Sequence, residues 1–360
     1  NGDGYDDVII GAYVADPSGR ISAGSAYIIF GKPSGFENID LLTLNNSVGV
    51  AIHGAVAGDW LGNKVSGAGD VNGDGYDDII VSAILADPYS RTNAGTVYVL
   101  LGNASLTDVD LLLSDEYRGF AVYGDVENVM MGRSISSAGD MNGDGYDDII
   151  IGADGHCAII YGNSSDVLTD IDLLSLNNSN GFMISGFEGV VSVSGAGDVN
   201  GDGYGDIIIG DKSKGIGGVS YLIFGKALGL VEFHISNLTA SMGYIIRGTE
   251  DFLGATVSGG GDVNGDGYDD IIIADSMVST DSGVGQVHVI YGLDIDRVPV
   301  PSSVPTTAMP TTALPTPVPS TLPTALPSIQ PTTALPTASP TASPSWVPTT
   351  AVPSVVPTVS

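Results

Sequence analysis

Asp70, Asn72, Asp74 and Asp78 stand at positions 1, 3, 5 and 9 of one nine-residue stretch, and Tyr76 offers a backbone carbonyl at position 7. Alternate side chains of a tight loop converge on one side, and Gly75 at position 6 allows the turn. Six to eight hard oxygens at roughly 2.3–2.6 Å are what calcium takes, whereas magnesium demands a tighter octahedron and keeps its waters. The same donor set recurs as Asp140, Asn142, Asp144, Tyr146 and Asp148, and as Asp198, Asn200, Asp202, Tyr204 and Asp206. It recurs again as Asp262, Asn264, Asp266, Tyr268 and Asp270, and in shortened form as Asn1, Asp3, Tyr5 and Asp7. Carboxylates this close repel one another without a cation. The sequence therefore predicts Ca2+ in four full loops, with a fifth loop truncated. The fourth loop has Gly205 at position 8 but keeps Asp206 at position 9, so position 9 is the expected ligand and position 8 is dispensable.

Two other readings use the same residues. An EF-hand needs Glu at position 12 and flanking helices; position 12 is Val81, Ile151, Ile209 or Ile273, each inside a β-branched run. Plain polar hairpin turns would also use Asn-Gly and Asp-Gly, but they do not explain the repeated carboxylates.

The elements that must hold these loops repeat with them. The loop Asn falls at 1, 72, 142, 200 and 264. Each loop follows a Gly-bounded apolar stretch such as GRSISSAGD and leads into a run such as DDIII. A further strand ends in Gly (SAYIIFG, TVYVLLG, CAIIYG, VSYLIFG, QVHVIYG), and after a polar linker comes a fourth strand such as GFMISG. No helical period is visible. Four short strands per unit at this spacing predict an all-β fold, a β-propeller of four-stranded antiparallel blades. The count is three full blades plus two partial ones of three strands each, at the two ends. The chain is expected to be a fragment of a larger, seven-bladed propeller.

The propeller is assigned to 1–297. Residues 298–360 contain no Asp, Glu, Lys or Arg and hold 16 of the 19 prolines, so they predict a disordered Pro/Thr/Ser-rich tail or O-glycosylated stalk. The formal net charge of −31 argues against nucleic acid, which needs Lys and Arg. No apolar run is long enough to span a bilayer. The single Cys157 excludes an intrachain disulfide. His53, His156, His234 and His288 share no repeat position, and no nucleophile or phosphate-loop motif appears. The sequence thus predicts no enzyme. N-x-Ser/Thr sequons at Asn45, Asn103, Asn163, Asn177 and Asn237, with loops suited to millimolar calcium, predict an extracellular or cell-surface location.

The phrase D-x-N-x-D-G-Y-x-D-I-I-I-G-A, preceded by S-x-S-G-A-G and followed by a strand ending in Gly, resembles the FG-GAP repeat of integrin α subunits over residues 1–297. The resemblance implies a seven-bladed propeller with calcium in the hairpin loops, at the positions named above, on the face away from ligand. It implies a function in adhesion or ligand binding, with an extracellular protein or glycan as partner. The aromatic that often precedes Gly ahead of the loop in integrins is replaced here, as Leu61-Gly62, Met131-Gly132 and Leu253-Gly254, and the fourth unit lacks the pair. That departure weighs against pairing with an integrin β subunit. Similar repeats occur in glycosylphosphatidylinositol-specific phospholipase D, so the accessory propeller of a secreted enzyme is the alternative, and a structural surface or wall protein a third. Ligand-facing loops are expected at Ala15–Gly24 and Ala86–Gly95, which share A-D-P-x-x-R with Arg20 and Arg91; simple hairpin loops are the competing reading.

Overall fold

The computed structural model describes residues 1–35, 38–113, 117–164, 169–227, 229–248, 252–276 and 285–292. The chain divides into two units, Asn1–Val300 and Pro301–Ser360. The predicted tail, and whatever follows Gly292, lie outside the described residues.

The first unit is all-β, as expected, and its strands fall into five sheets. Blade one comprises β1 (Val8–Ala12), β2 (Ser25–Ile29) and β3 (Gly49–His53). Blade two has β4 (Leu61–Gly69), β5 (Asp78–Ala83) and β6 (Thr96–Leu100), then the two-residue β7 (Val109–Asp110), then β8 (Gly119–Tyr123). Blade three has β9 (Ser134–Gly139), β10 (Asp148–Gly152), β11 (Asp154–Ile160), the short β12 (Ile171–Asp172) and β13 (Gly181–Val190). Blade four follows with β14 (Ser192–Gly197), β15 (Asp206–Asp211), β16 (Val219–Ile223), the short β17 (Phe233–His234) and β18 (Gly243–Arg247). Blade five contributes β19 (Leu253–Gly261), β20 (Asp270–Asp275) and β21 (Gln286–Ile290). Within each blade successive strands pair antiparallel. Three blades carry all four strands, and the first and last show three among the described residues.

The second strand of each blade explains its own composition. It lies inside a sheet covered by neighbouring blades on both faces, so it reads as a continuous apolar run rather than an alternating one. All five residues of Asp148–Gly152 are buried. The core is layered between blades: Ile80 and Val97 of blade two pack with Ile151 and Ile160 of blade three, and Ile150 and Ile159 of blade three pack with Ile207 and Ile209 of blade four. Each such isoleucine contributes about 2–3 kcal/mol through burial.

The first strands β4, β9, β14 and β19 lie side by side along the inner edges of their blades. Serines stitch them together. Ser134 and Ser136 accept from Val193 and Gly195 N–H at 3.0 and 3.2 Å, and Ser192 and Ser194 accept from Val257 and Gly259 N–H at 3.1 and 3.3 Å. Gly259 is required at this approach, because a Cβ there would stand 2.7 Å from the Gly195 carbonyl oxygen.

The linker ahead of the fourth strand has a role that its polar composition did not reveal. In three linkers a two-residue strand crosses to the preceding blade and pairs parallel with that blade's fourth strand: Val109–Asp110 on Ile52–His53, Ile171–Asp172 on Val122–Tyr123, and Phe233–His234 on Ile184–Ser185. The open edge is covered in this way, which blunts edge-to-edge association. Two acids secure the cover: Asp108 accepts from Ala51 N–H and Asp170 from Ala121 N–H, both at 2.9 Å. Among the described residues no helix is long and apolar enough to cross a membrane.

Candidate functional site

Each candidate loop joins the first two strands of its blade. The position-9 acids Asp78, Asp148, Asp206 and Asp270 are fully buried. Each carboxylate accepts two backbone N–H groups. Asp78 takes Val71 at 2.9 Å and Gly102 at 2.8 Å; Asp148 takes Met141 and Gly162, both at 2.9 Å. Asp206 takes Val199 and Gly225 at 3.0 Å, and Asp270 takes Val263 and Gly292 at 2.9 Å. In the first loop Asp7 accepts from Gly31 N–H at 2.8 Å and from the Asn1 ammonium at 3.2 Å. The glycine that ends every third strand is therefore the clasp that holds the position-9 acid. The five strand endings carried that signal in the sequence, where they read only as turns.

Burial without a counter-ion pushes the Asp78 carboxyl up to about 7, against its two N–H bonds, and Asp74 and Asp70 add to the rise. Burial likewise pushes Asp148 and Asp206 up to about 8. The position-1 acids behave differently. Asp70 accepts from Gly73 at 2.7 Å, from Asp74 at 3.0 Å and from Gly75 at 2.8 Å, and Asp140 and Asp262 do the same in their loops. Asp198 accepts from Asp202 and Gly203. At exposed Asp262 these N–H groups lower the carboxyl pKa. The remaining donors close up on each other: Asn72 donates to Asp74 at 3.1 Å, and the pairs Asn142–Asp144, Asn200–Asp202 and Asn264–Asp266 repeat this at 2.9 Å. Asp3 receives the Tyr5 N–H, and Asn1 the Asp3 N–H, at 3.0 Å.

Among the described residues no three His, Cys, Asp or Glu side chains converge on one metal position. Their oxygens turn instead to the loop's own N–H groups. The donor chemistry nevertheless suits a hard cation. Asp70 and Asp74 face a buried Asp78 closely enough to raise its pKa. Among the described residues no basic side chain forms an ion pair with any acid of these loops.

The structure adds two contacts that join one loop to the next. The position-8 acid, which looked dispensable, latches neighbouring blades: Asp147 accepts from Asp70 N–H at 2.9 Å and Asp269 from Asp198 N–H at 2.8 Å. At the fourth loop a Cβ on Gly205 would stand 2.6 Å from the Ala138 carbonyl oxygen, so an acid has no room there; the backbone alone bonds Asp140 O at 2.9 Å. The position-7 tyrosine rings are the second contact. Tyr146, Tyr204 and Tyr268 lie over Gly73, Gly143 and Gly201 of the preceding loop, and Tyr76 lies over Gly2. A Cβ on Gly73 would stand 2.5 Å from the Tyr146 ring. The tyrosine was expected to matter for its carbonyl; its ring explains both the tyrosine and the glycine.

The three matches to known repeats fall where these features are complete. The FG-GAP repeat matches residues 62–100, 131–156 and 253–290. The chain is also 30% identical over 230 residues to integrin alpha-8 of Gallus gallus, covering 59% of this chain and 21% of the relative. It is an integrin-α-like FG-GAP repeat protein. Integrin alpha pat-2 of Caenorhabditis elegans is 28% identical over 235 residues, covering 60% of this chain and 17% of the relative. The phosphatidylinositol-glycan-specific phospholipase D of Bos taurus is 30% identical over 158 residues, covering 42% and 17%. The chain thus spans about a fifth of the length of these relatives. Each matched repeat begins at or beside a Leu-Gly or Met-Gly pair, which unit four of this FG-GAP protein lacks.

The reason lies in blade three. Leu61, Met131 and Leu253 N–H each bond the hairpin loop of the preceding blade, at Ala23, Ala94 and Gly217 O, with distances of 2.9, 2.9 and 3.0 Å. In blade three that hairpin is reduced to Ala153 between β10 and β11, not the longer connection the other units suggested. There is no loop to dock on, and Val191 N–H takes the Ala153 carbonyl at 3.3 Å instead. The short spacing between loops three and four has the same origin.

At the end opposite the acidic loops, Arg20 and Arg91 turn out to be pins. Arg20 reaches Asp110 at 2.8 Å, and Arg91 binds Asp172 through two hydrogen bonds at 2.9 and 3.1 Å, each holding the cross-blade strand of the next linker. Asp16 and Asp87 close these loops on Ser22 and Asn93 N–H at 2.7 Å. Beside the second loop, Asp59, Asp87, Tyr98 and Tyr123 line a cavity of about 490 Å³. The histidines find separate partners, Ser25, Asp125, Ser236 and Asp275.

Proposed function

We propose that this chain is a calcium-stabilised, extracellular adhesion or ligand-binding propeller, with no catalytic role of its own. One observation carries the reading: five loops repeat one oxygen donor set around a buried carboxylate that has no basic partner. Ca2+ bound there would neutralise Asp70, Asp74 and Asp78 together; Asn72 and the Tyr76 carbonyl would complete the set, with their counterparts in the other loops. Asp3 and Asp7 would serve the first loop with Asn1 and the Tyr5 carbonyl. A macromolecular ligand, protein or glycan, is assigned to the opposite end, where loop length varies from blade to blade and aromatic and acidic side chains line an open cavity. The Leu-Gly and Met-Gly pairs dock on hairpins of this chain itself, which supports a partner other than an integrin β-type subunit.

The test is thermal unfolding of the full chain in millimolar calcium and in EDTA, alongside the Asp74→Ala, Asp144→Ala double variant. Ligand that binds the folded state raises Tm by linkage. A calcium-dependent rise that shrinks in the double variant supports the metal role; identical curves in both media overturn it. The similarity to a phospholipase D favours a second reading, an accessory propeller beside a catalytic domain. Binding of a matrix protein or glycan array by this chain alone, in calcium, separates the two.

A further inference from the structure

Two of the five sequons are built alike. Asn45 and Asn177 occupy the same place in the linkers of blades one and three, just after the short 3-10 turns Leu41–Thr43 and Leu173–Ser175. Asp40 and Asp172 cap these turns at the N–H groups of Leu42 and Leu174. The backbone carbonyl of Asn45 accepts from Val48 and Gly49 N–H at 2.8 and 3.0 Å. That of Asn177 accepts from Asn180 and Gly181 at 3.0 and 3.1 Å. Each asparagine is exposed. Each Oδ1 accepts from the N–H of the sequon serine, Ser47 at 3.1 Å and Ser179 at 3.0 Å, and from that serine's hydroxyl as well. Nδ2 takes part in none of these bonds.

We infer that Asn45 and Asn177 are the N-glycosylated residues of this protein. A hydroxyl proton held on Oδ1 favours the imidate form of the side chain and leaves the Nδ2 lone pair available as a nucleophile. Nδ2 attacks C1 of the reducing-end sugar of a lipid-diphosphate-linked oligosaccharide. The N–C1 bond forms and the C1–O bond breaks. The lipid diphosphate leaves with the electron pair, and Nδ2 gives its proton to a base of the transferase. The turn spans only residues i to i+2, so it is available to the chain before the blade folds.

The other three sequons lack this arrangement. Asn103 accepts only the Ser105 N–H, at 2.8 Å, and is half-buried beside Tyr76 and Asp77 in a cavity of about 650 Å³ between blades one and two. At Asn237 the Thr239 hydroxyl pairs with Ser241 at 3.0 Å instead. The third residue of the Asn163 sequon, Ser165, lies outside the described residues.

The inference rests on the extracellular reading, since the sugar donor is met in the secretory lumen. The experiment therefore removes that dependence. The full chain is given a secretion leader from another protein and expressed in a eukaryotic cell. Peptide N-glycosidase is applied in 18O-water, and occupancy at all five sequons is read by mass spectrometry as labelled Asp. Near-complete occupancy at Asn45 and Asn177, at least fivefold above the other three, is expected. Ser47→Ala and Ser179→Ala should abolish it at their own sequon, and Ser47→Thr should retain it. Equal occupancy at all five, or bare Asn45 and Asn177 in a secreted chain, would overturn the inference. Where the natural chain resides is a separate measurement and leaves this one standing.

Discussion

The two ends of the blades follow opposite rules. At the acidic-loop end all five units repeat one set of contacts: the glycine clasp on the position-9 acid, and in successive loops the tyrosine ring on glycine. At the other end the hairpins run over residues 13–24 and 84–95 in blades one and two, over Ala153 alone in blade three, and over 212–218 in blade four. Local contacts explain the difference. An acidic loop is held by its own blade and by both neighbours, so a change in one loop disturbs two others. A hairpin touches only the start of the next blade, and when it shortens only that start changes, as at Val191. One end is built to be uniform and the other is free to vary, which is the division expected of a scaffold and a recognition surface.

If the uniform end is the scaffold, cutting its clasp should cost most. Asp148→Ala leaves the buried N–H groups of Met141 and Gly162 without partners, at about 1–3 kcal/mol each. We expect a loss of about 3 kcal/mol in urea unfolding of the full chain. A loss below about 1 kcal/mol would break the comparison, because the acid would then matter only for metal. Gly73→Ala is the next step down. It places a Cβ 2.5 Å from the Tyr146 ring at φ +72°, whereas Gly75→Ala meets nothing at φ +88°. Strain alone costs on the order of 1–2 kcal/mol, so Gly73→Ala should exceed Gly75→Ala by about 1 kcal/mol if the ring contact matters. Equal Tm values would show that only the backbone conformation is being read.

At the variable end the fixed points are fewer. Arg91→Ala removes a two-point, half-buried ion pair to Asp172, and about 1 kcal/mol is expected from such a pair. The distinguishing measurement is hydrogen exchange. Faster exchange should be confined to Ile171–Asp172 and its partner strand β8, with the acidic loops unchanged. Acceleration in those loops would mean that the two ends are not separable.

Much of this was legible in the sequence. The all-β blades, their number and the loop positions follow from a repeat that carries its own alignment. What was not legible depends on partners in other units. Gly102 reads as a turn residue until Asp78 is found on its N–H, and Asp147 reads as optional until Asp70 of the previous blade is beside it. The cross-blade strands at 109–110 and 171–172 are too short for any periodicity to show. Their signal was the repeated T-D-V/I-D-L-L at 107–112 and 169–174, whose two acids serve two different neighbours. The missing Leu-Gly pair of unit four was visible, but its cause sits in unit three, which no reading of unit four alone could supply.

The smallest effect tests the variable end without touching its structure. Asp59 lies in the cavity with Asp87, and burial together with the Asp87 charge pushes its carboxyl up to about 6 from 3.8. The folded state therefore holds this proton more tightly than the unfolded chain does. The stability it contributes is full below about pH 4 and is lost as pH rises through about 6. Above that pH the ionised acid is a standing penalty, on the order of 1 kcal/mol once partial exposure is allowed for. Asp59→Asn should raise Tm by a few degrees at pH 7.5 and change little at pH 4.5, flattening the profile between them. The acidic-loop end predicts the reverse for its own carboxylates in saturating calcium, where ionisation is favoured by the metal. If Asp59→Asn lowers Tm at pH 7.5, its carboxylate has a cationic partner in solution, and the cavity is not the open acidic pocket that recognition at this end requires.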